Sequence, residues 1–567
     1  MVPANRRDRA EYHVDKTHTA DAAGGELVVG EVLPARRYGP PRLRIVERLG
    51  PPETPGAISL IAIAEFDIPH EFLAAALSEA GAAHPVSPEG RVDLRDLMLV
   101  TIDGSDARDF DDAVWAELDP DPANPGGWHL VVAIADVAWY VAPGSALDGE
   151  ATLRGNSVYF ADRVVPMLPE ALSNGLCSLK PGEDRACLAA HLWIDGDGRK
   201  RRHRFERAIM RSAARLTYEQ AQAARDGDGK LPLPRERLDA LYGAFAVLDR
   251  ARIARGALEL DLVEYRVTLG PDNQPVAIAP RQRLASHRLI EEFMILANVA
   301  AAEELEARRR AGLYRVHDAP DPERVEALRL ALADLDIPGV GLAKGQVLRP
   351  ELFNRVLTRI AGRPEAELIN MLVLRAQAQA VYSPQNIGHF GLALQRYTHF
   401  TSPIRRYADL IVHRALLGEA PPADLAAIAA HVSATDRRAA AAERATLDRY
   451  RARLLGGRIG EVFAARVSGV ARFGLFVVLA ESGTDGLVPL SNLPQDFYRF
   501  DPARMRLTGR HSRRNFGLGD ALSVRLAEAD PLGGRLIFRL EGEADPPTRH
   551  ASPRRGARTL RRWRDTR

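Results

Sequence analysis

The sequence predicts an α+β protein in which a large central domain lies between small β-barrels, the last of them of the OB-fold type. Three patterns indicate this: short strands after Gly25, strands followed by helices between about Leu94 and Leu455, and five short strands after Gly460. The 567 residues favour about three to four domains. We therefore expect a disordered N-terminus (1–24), a partial barrel (25–93), the central domain (94–455), a C-terminal OB barrel (456–543) and a disordered, Arg-rich tail (544–567).

The N-terminal module contains three runs with strand character, at residues 26–32, 43–49 and 58–64. Three strands are too few to close a barrel, so the module is either truncated or packed against the next domain.

The central domain has apolar residues at helical spacing along 283–310 and an Ala-rich helical stretch along 423–455. Farther on, strands are expected at 462–467, 473–479, 486–490, 521–526 and 536–540. The tail 549–567 holds eight Arg and one Asp, so it is either solubilising or an electrostatic tether for phosphate backbones.

Composition excludes several protein classes. A net charge of +2 excludes a globally polyanion-binding balance. The two cysteines, Cys177 and Cys187, exclude a disulfide scaffold, and two core thiols are favoured over a zinc site that would include His191. The N-terminus has no signal-peptide core, and the apolar run 57–66 is too short to cross a membrane. We expect a cytoplasmic protein without membrane contact.

Five carboxylates fall within ten residues: Asp103, Asp106, Asp109, Asp111 and Asp112. Like charges about 4 Å apart repel by roughly 4 kcal/mol per pair at an effective dielectric constant near 20. Because apolar runs flank this cluster, either it binds a hard divalent cation, Mg²⁺ or Mn²⁺, or it forms a solvated acidic turn. A Mg²⁺ ion held by carboxylates with open water positions is suited to phosphodiester chemistry.

A second motif lies about 300 residues later, at 397–414. Thr401 or Ser402 suits a helix N-cap and Pro403 the first helical position, which places Arg405 and Arg406 in the first turn. Cations are unfavourable there because the helix dipole is positive at that end. Either an anion such as phosphate sits at the helix start, or Arg405 pairs with Asp409.

The stretches at 101–114, 152–169, 287–298 and 399–407 resemble, in order, the signatures of the RNase II/RNase R (RNB) exoribonucleases. The residues in these motifs are closer to the RNase R branch, and the resemblance extends from about Leu94 through the C-terminal barrel. It implies a processive, Mg²⁺-dependent 3′→5′ hydrolase that releases nucleoside 5′-monophosphates in RNA decay and quality control. Its expected partner is single-stranded RNA with the 3′ end in a channel, and a monomer is expected.

The resemblance places the four catalytic, metal-holding aspartates on Asp103, Asp109, Asp111 and Asp112, and leaves Asp106 as an extra acid. The family's catalytic arginine falls on Arg405. The same resemblance makes Arg406 a supporting phosphate contact or a surface charge.

For RNA binding, the resemblance assigns base stacking to Tyr159 and a place near the scissile end to Tyr218. Either Glu291 or Glu292 would touch the terminal ribose, and the apolar stripe places the two on opposite edges. Glu443 either lines the channel or pairs with a neighbouring Arg. In the last barrel Phe473 is expected to be an exposed stacking ring, whereas Phe476 is expected in the barrel core.

Two departures from the family pattern stand out. Leu260 occupies a position where the family often has an aromatic residue opposite the stacking tyrosine, and the usual pair of N-terminal cold-shock barrels is not intact. The alternative function is a catalytically silent RNA-binding protein that kept the RNB fold. An endonuclease is a third option, and its products would be fragments of intermediate length.

Overall fold

The fold is described from a computed structural model covering residues 1–4, 10–34, 39–335, 337, 342, 345–502 and 504–541. The predicted Arg-rich tail lies outside these residues.

The N-terminal module pairs β1 (Leu27–Val32) with β2 (Leu43–Gly50) in an antiparallel ribbon. The third predicted strand is wrong: residues 57–65 form helix α1 (Ala57–Glu65), followed by α2 (Ala74–Gly81). A short apolar run does not distinguish a strand from a buried helix. Here packing decides, because α1 contributes Ala62 and Ile63 to a core shared with the last long helix of the central domain.

The predicted disorder of residues 1–24 is also wrong for the described part of that segment. Residues Lys16–His18 form a 3₁₀ turn, and His13 pairs with Arg42 through the backbone. The Arg42 guanidinium also donates to Asp15. Composition does not reveal that these residues are ordered, because Arg42, the partner of Asp15, lies 27 residues farther along the chain.

The centre of the molecule is a seven-stranded sheet in the order β11-β4-β5-β6-β9-β10-β3. Its outermost pairs on each side, β11–β4 and β10–β3, are parallel and the others antiparallel. Both faces are covered by apolar cores. Its elements, with those between them, are β3 (Val92–Asp93), β4 (Val100–Asp103), β5 (Asp112–Leu118), β6 (Trp128–Ala135), α3 (Val137–Tyr140), α4 (Ala146–Arg154), β7 (Val158–Tyr159), β8 (Val164–Val165), β9 (Asp184–Ile194), β10 (Lys200–Arg211) and β11 (Ala214–Thr217).

Helices follow the sheet, in agreement with the predicted α+β order. The two predicted helices at 283–310 and 423–455 are confirmed as α7 and α12. The elements are α5 (Tyr218–Arg225), α6 (Arg235–Arg255), β12 (Tyr265–Leu269), β13 (Pro275–Pro280), α7 (Ala285–Ala307), β14 (Tyr314–Val316), α8 (Pro322–Asp334), α9 (Pro350–Ile360), α10 (Ala366–Ala376), β15 (Val381–Ser383), α11 (Tyr407–Leu417) and α12 (Leu425–Gly456). Cys177 and Cys187 are buried, free thiols, as predicted.

The C-terminal domain is a closed five-stranded barrel around Val467, Val477 and Phe538. Its strands are β16 (Val462–Ala471), β17 (Gly474–Leu479), β18 (Asp485–Pro489), β22 (Ala521–Asp530) and β23 (Arg535–Leu540), with a small sheet of β19 (Tyr498–Asp501), β20 (Arg506–Gly509) and β21 (Asn515–Gly517) inserted before β22. No helix within the described ranges has both the length and the hydropathy to span a bilayer.

One buried side chain of α7 anchors the segment that leads into Arg405. The Asn298 carboxamide oxygen accepts a hydrogen bond from the Phe400 amide at 2.7 Å, and its nitrogen donates to the Tyr397 hydroxyl at 3.2 Å. Because the Asn298 side chain is buried, water cannot take over its two hydrogen bonds unless the surrounding structure rearranges.

We expect Asn298→Ala to lower the free energy of unfolding by about 1–3 kcal/mol, the cost of leaving a buried amide unpaired. Urea unfolding followed by tryptophan fluorescence measures this, because Trp115, Trp128, Trp139 and Trp193 all lie in the central domain. Exposed Gln385→Ala is the control and should change stability by less than about 0.5 kcal/mol. Equal stability of the two variants would contradict the anchoring role.

Candidate active site

The predicted acidic cluster lies where β4 ends and β5 begins. Asp103 is the last residue of β4, Asp112 is the first of β5, and the connecting loop carries the other three aspartates. Arg215 on β11, which sequence reasoning did not single out, donates to the carbonyls of Gly104 and Ser105 and holds that loop.

Four of the five aspartates are withdrawn from solvent to different degrees. Asp111 is 4% exposed, whereas Asp103, Asp109 and Asp112 are half-buried. One carboxylate oxygen on each of Asp103, Asp111 and Asp112 is buried without a hydrogen-bond partner. The predicted alternative of a solvated acidic turn is therefore wrong for these residues.

Burial and mutual repulsion disfavour the charged forms of these acids. Burial, with the Asp109 charge second, raises the pKa of Asp103 to about 6. Burial and the Asp103 charge raise the pKa of Asp112 to about 8, and burial raises the pKa of Asp111 well above its ordinary value. In each case Arg405 acts in the opposite direction, so a positive charge stabilises the ionised cluster.

The fold brings the two distant motifs into contact at Asp111. One oxygen of Asp111 accepts a hydrogen bond from the Ile404 amide at 2.9 Å, and the other lies 3.8 Å from Nε of Arg405. The Arg405 side chain is 44% exposed and also contacts the Ser402 hydroxyl at 3.2 Å. Its guanidinium therefore remains available to an anion that approaches the aspartates.

Arg406 has a different environment from its neighbour. It forms a bidentate ion pair with Asp409, both contacts at 2.7 Å, and Asp409 is fully buried. The alternative prediction that Arg405 pairs with Asp409 is therefore wrong, as is a surface charge for Arg406. The helix also starts later than predicted: α11 begins at Tyr407, and residues 403–405 form a turn.

The reason for this difference is the Asp409 carboxylate, which also accepts the Ser402 amide at 2.8 Å. That hydrogen bond and the Arg406 ion pair tie the turn to the start of α11, so Pro403 does not enter the helix. The predicted contact between Arg406 and RNA stays a prediction. In this structure the Arg406 guanidinium already pairs with Asp409.

Tyr159 bridges the cluster and the last long helix. Its hydroxyl donates to Asp109 at 2.8 Å, and its backbone amide donates to Glu443 on α12 at 2.8 Å. The Glu443 carboxylate thus bonds a backbone amide rather than the predicted neighbouring Arg. Tyr159 remains 37% exposed and, with Asp106 and Glu443, lines a cavity of about 590 Å³ beside the aspartates.

Tyr218 lies on the other side of Asp103. Thr217 pairs in parallel register with Asp103 and caps α5, so Tyr218 starts that helix next to the cluster. Its ring stacks on His287, with ring centroids 4.1 Å apart. Sequence reasoning missed His287, although its position four residues before Glu291 on α7 was an available signal.

Glu291 and Glu292 meet at a single buried guanidinium that the sequence did not reveal. Nη1 of Arg252 on α6 lies 3.0 Å from Glu291 and 2.9 Å from Glu292. Although the sequence predicts opposite edges of the apolar stripe for these two residues, both carboxylates reach the same guanidinium. Glu292 is buried, whereas Glu291 is about one-third exposed and also pairs with Arg283 at 2.6 Å.

The remaining predicted residues lie farther out. Asp106 is exposed and pairs with Arg266 on β12 at 2.9 Å. Leu260 packs on the core of α8–α10. Phe473 is exposed as predicted, but a core position for Phe476 is wrong, because Leu475 and Val477 face the barrel interior and strand alternation turns Phe476 outward.

The donor chemistry of this cluster fits a hard divalent cation, because the three unpartnered oxygens are carboxylate oxygens. Within the described ranges, however, no three Asp, Glu, His or Cys side chains are already grouped closely enough to hold a metal ion. The cluster thus has the ligand type but is not preformed.

We expect the protein in EDTA to lose stability as pH rises from about 4 to about 8, since folding raises the pKa values of Asp103 and Asp112 and must then bury ionised acids. Asp112→Asn removes one of these acids. Its Tm at about pH 8 should exceed that of the parent, with a smaller difference at about pH 5. Exposed Asp106→Asn is the control and should show no such gain. A parent Tm that rises across this interval would contradict the burial argument.

Comparison with protein families assigns three regions. The RNB domain matches residues 91–418, a cold-shock domain residues 1–72, and an S1 RNA-binding domain residues 458–540. Of the cold-shock match, the described residues contain only the β1–β2 ribbon as strand.

Among individual relatives, the chain is 40% identical to ribonuclease R of Vibrio parahaemolyticus, over 95% of this chain and 67% of that protein. It superposes on Mycoplasma genitalium RNase R in complex with ribose-methylated single-stranded RNA with a TM-score of 0.88 and 28% identity, covering 95% of this chain and 86% of that one. Yeast Ssd1, described as a pseudonuclease, shares the fold at 18% identity and a TM-score of 0.66, over 88% and 64% of the chains. The chain belongs to the RNB family, in its ribonuclease R branch.

Proposed function

We propose that this chain is a 3′→5′ exoribonuclease that hydrolyses RNA to nucleoside 5′-monophosphates. The observation that carries the proposal is the contact between the two motifs. A half-exposed Arg405 guanidinium lies 3.8 Å from a buried Asp111 carboxylate, beside unpartnered oxygens of Asp103 and Asp112. An anionic phosphate and a cation are the two species that such a pairing of charges accommodates.

The metal assignment rests on the donor set. Asp103, Asp109, Asp111 and Asp112 would hold Mg²⁺, with Mn²⁺ as the second choice, and the pKa rise from burial supports a requirement for positive charge there. A bound ion of this kind lowers the pKa of water and neutralises charge on the reacting phosphate.

The protein's own groups would hold the substrate. Arg405 would donate to the scissile phosphate, where negative charge grows during in-line attack. The exposed Tyr159 ring would stack on a base, a contact that tolerates any sequence. Either Glu291 or Glu292, both held by Arg252, would meet the terminal ribose, where contact with the 2′-hydroxyl separates RNA from DNA.

The fold alone does not decide between an enzyme and a silent binding protein, since yeast Ssd1 shares it. What favours the enzyme is the complete set of four buried or half-buried aspartates with Arg405 in contact with one of them. Single-stranded RNA is the proposed partner; the cytoplasmic setting and the monomer stay predictions.

We expect Asp111→Asn to lower the rate of monophosphate release by at least about 100-fold, because the substitution removes one charged group while its carbonyl still accepts the Ile404 amide. RNA binding, measured by fluorescence anisotropy, should be retained. Asp106→Asn, an exposed member of the same cluster, should keep normal turnover, and EDTA should stop the parent enzyme. Parent protein that retains RNA but releases no monophosphate would support the silent alternative and defeat the proposal.

The adjacent arginines allow a matched pair of variants. Arg405→Ala should reduce kcat by about 10²–10³-fold and leave Tm nearly unchanged, since its pairing is loose and solvent-accessible. Arg406→Ala should lower the free energy of unfolding by about 3–5 kcal/mol, because it leaves Asp409 buried and unpaired. Single-turnover kinetics and urea unfolding of both variants separate the two roles. A larger loss of stability from Arg405→Ala than from Arg406→Ala would reverse them.

A further inference from the structure

The small sheet inserted in the C-terminal barrel has one face that packs against the barrel core and one face that does not. Tyr498, Phe500, Leu507 and Phe516 lie against the barrel core. Strand alternation therefore turns the intervening residues outward. Because Arg499 pairs with Thr508 and Thr508 with Asn515, these three side chains form one row across β19, β20 and β21.

An aromatic ring extends this outward row. Phe497 immediately precedes β19 and is 74% exposed. The Arg510 amide donates to the Phe497 carbonyl at 2.9 Å, which ties the residue to the turn after β20. Its ring lies 6.4 Å from that of His511. The exposed ring therefore offers an open face on which a base can stack.

The turn that supports this ring is ordered by Asp496. The Asp496 carboxylate accepts the amides of Phe497 at 2.6 Å, His511 at 3.0 Å and Ser512 at 2.8 Å, and the Ser512 hydroxyl at 2.6 Å. Its negative charge is therefore engaged within the turn, and the ring is presented by a fixed backbone.

The same face is strongly basic. Arg499, Arg510 and Arg513 are exposed, and none of them has a carboxylate partner among the residues that the structure describes. Arg513 adopts a left-handed conformation, with φ of +55°, at the tip of the turn before β21. Three unpaired guanidiniums around an exposed ring complement a chain that carries phosphates and open base faces.

We propose that this outer face, formed by Phe497, Arg499, Arg510, Arg513 and Asn515, binds a single-stranded segment of RNA that lies outside the channel. Phe497 stacks on an unpaired base and the guanidiniums contact phosphates. This surface is distinct from the one that carries Phe473 and Phe476, which lie just before and within strand β17 of the barrel. A duplex would offer charge but no base face for the ring, and an acidic protein would leave the ring unused.

The inference rests on the proposed function only in taking RNA as the substrate, so binding is measured in EDTA, where no turnover is needed. Phe497→Ala should weaken the binding of an oligo(U) of about 30 nucleotides by at least about 5-fold, the lower end of the effect of losing one stacked base. Arg499→Ala/Arg510→Ala/Arg513→Ala should reduce the slope of log K against log salt by about 2, since each phosphate contact contributes roughly 0.7.

Two matched substitutions serve as controls. Ile387→Ala removes another exposed apolar side chain, and Arg201→Ala another exposed arginine without a described ion pair; both should bind like the parent. Turnover of an RNA of about five nucleotides at saturation should be unchanged in Phe497→Ala, because so short a strand acts only through the channel. Circular dichroism checks that each variant is folded.

Equal affinity of Phe497→Ala and Ile387→Ala for oligo(U) would overturn the inference. So would polyglutamate or a blunt duplex that competes as well as oligo(U), since either result assigns the face to a different partner. Failure of the proposed function has a different signature: the parent would release no monophosphate with Mg²⁺, while the binding difference between the variants persists.

Discussion

The burial of negative charge where β4 gives way to β5 is the constraint on which the rest of the site depends. Several aspartates within a few ångströms of one another repel, and their withdrawal from water adds to the cost of ionisation. The protein offsets only part of this cost, through the Ile404 amide on one oxygen of Asp111 and through the nearby Arg405. The incomplete compensation makes the cluster receptive to a cation, while the half-exposed Arg405 guanidinium remains available to a phosphate.

The surrounding architecture follows from that constraint. The parallel pair β11–β4 places Tyr218 and Arg215 beside Asp103, while the β7 strand brings Tyr159 to Asp109. On the helical side, Asn298 fixes the segment that delivers Ile404 and Arg405 to Asp111. Elements on both sides thus bring the acids and the guanidinium to one place, although the acids are not yet grouped as a metal site among the described residues.

The neighbouring arginines show how chemically equal side chains acquire different roles. Arg406 is fixed by a fully buried carboxylate, so it organises the entrance to α11. Arg405 has only a long contact to Asp111 and keeps almost half of its surface in solvent. So long a contact from a half-exposed guanidinium contributes little to stability, and the arginine is available to a ligand.

The sequence by itself determined the α+β class, the helices at 283–310 and 423–455, the exposed Phe473 and, through four ordered motifs, the aspartates and Arg405. The class and the helices depend on local periodicity, which a single chain displays directly. The choice of the aspartates and of Arg405 depends on the resemblance of those motifs to the RNB family. The tertiary structure alone decided that residues 57–65 form a helix, that Asp409 forms its ion pair with Arg406 rather than with Arg405, and that Phe476 faces outward. It also supplied Arg252, Arg215 and His287. Each of these depends on a partner distant in sequence or on which face of an element meets a core, and neither spacing nor composition encodes that contact.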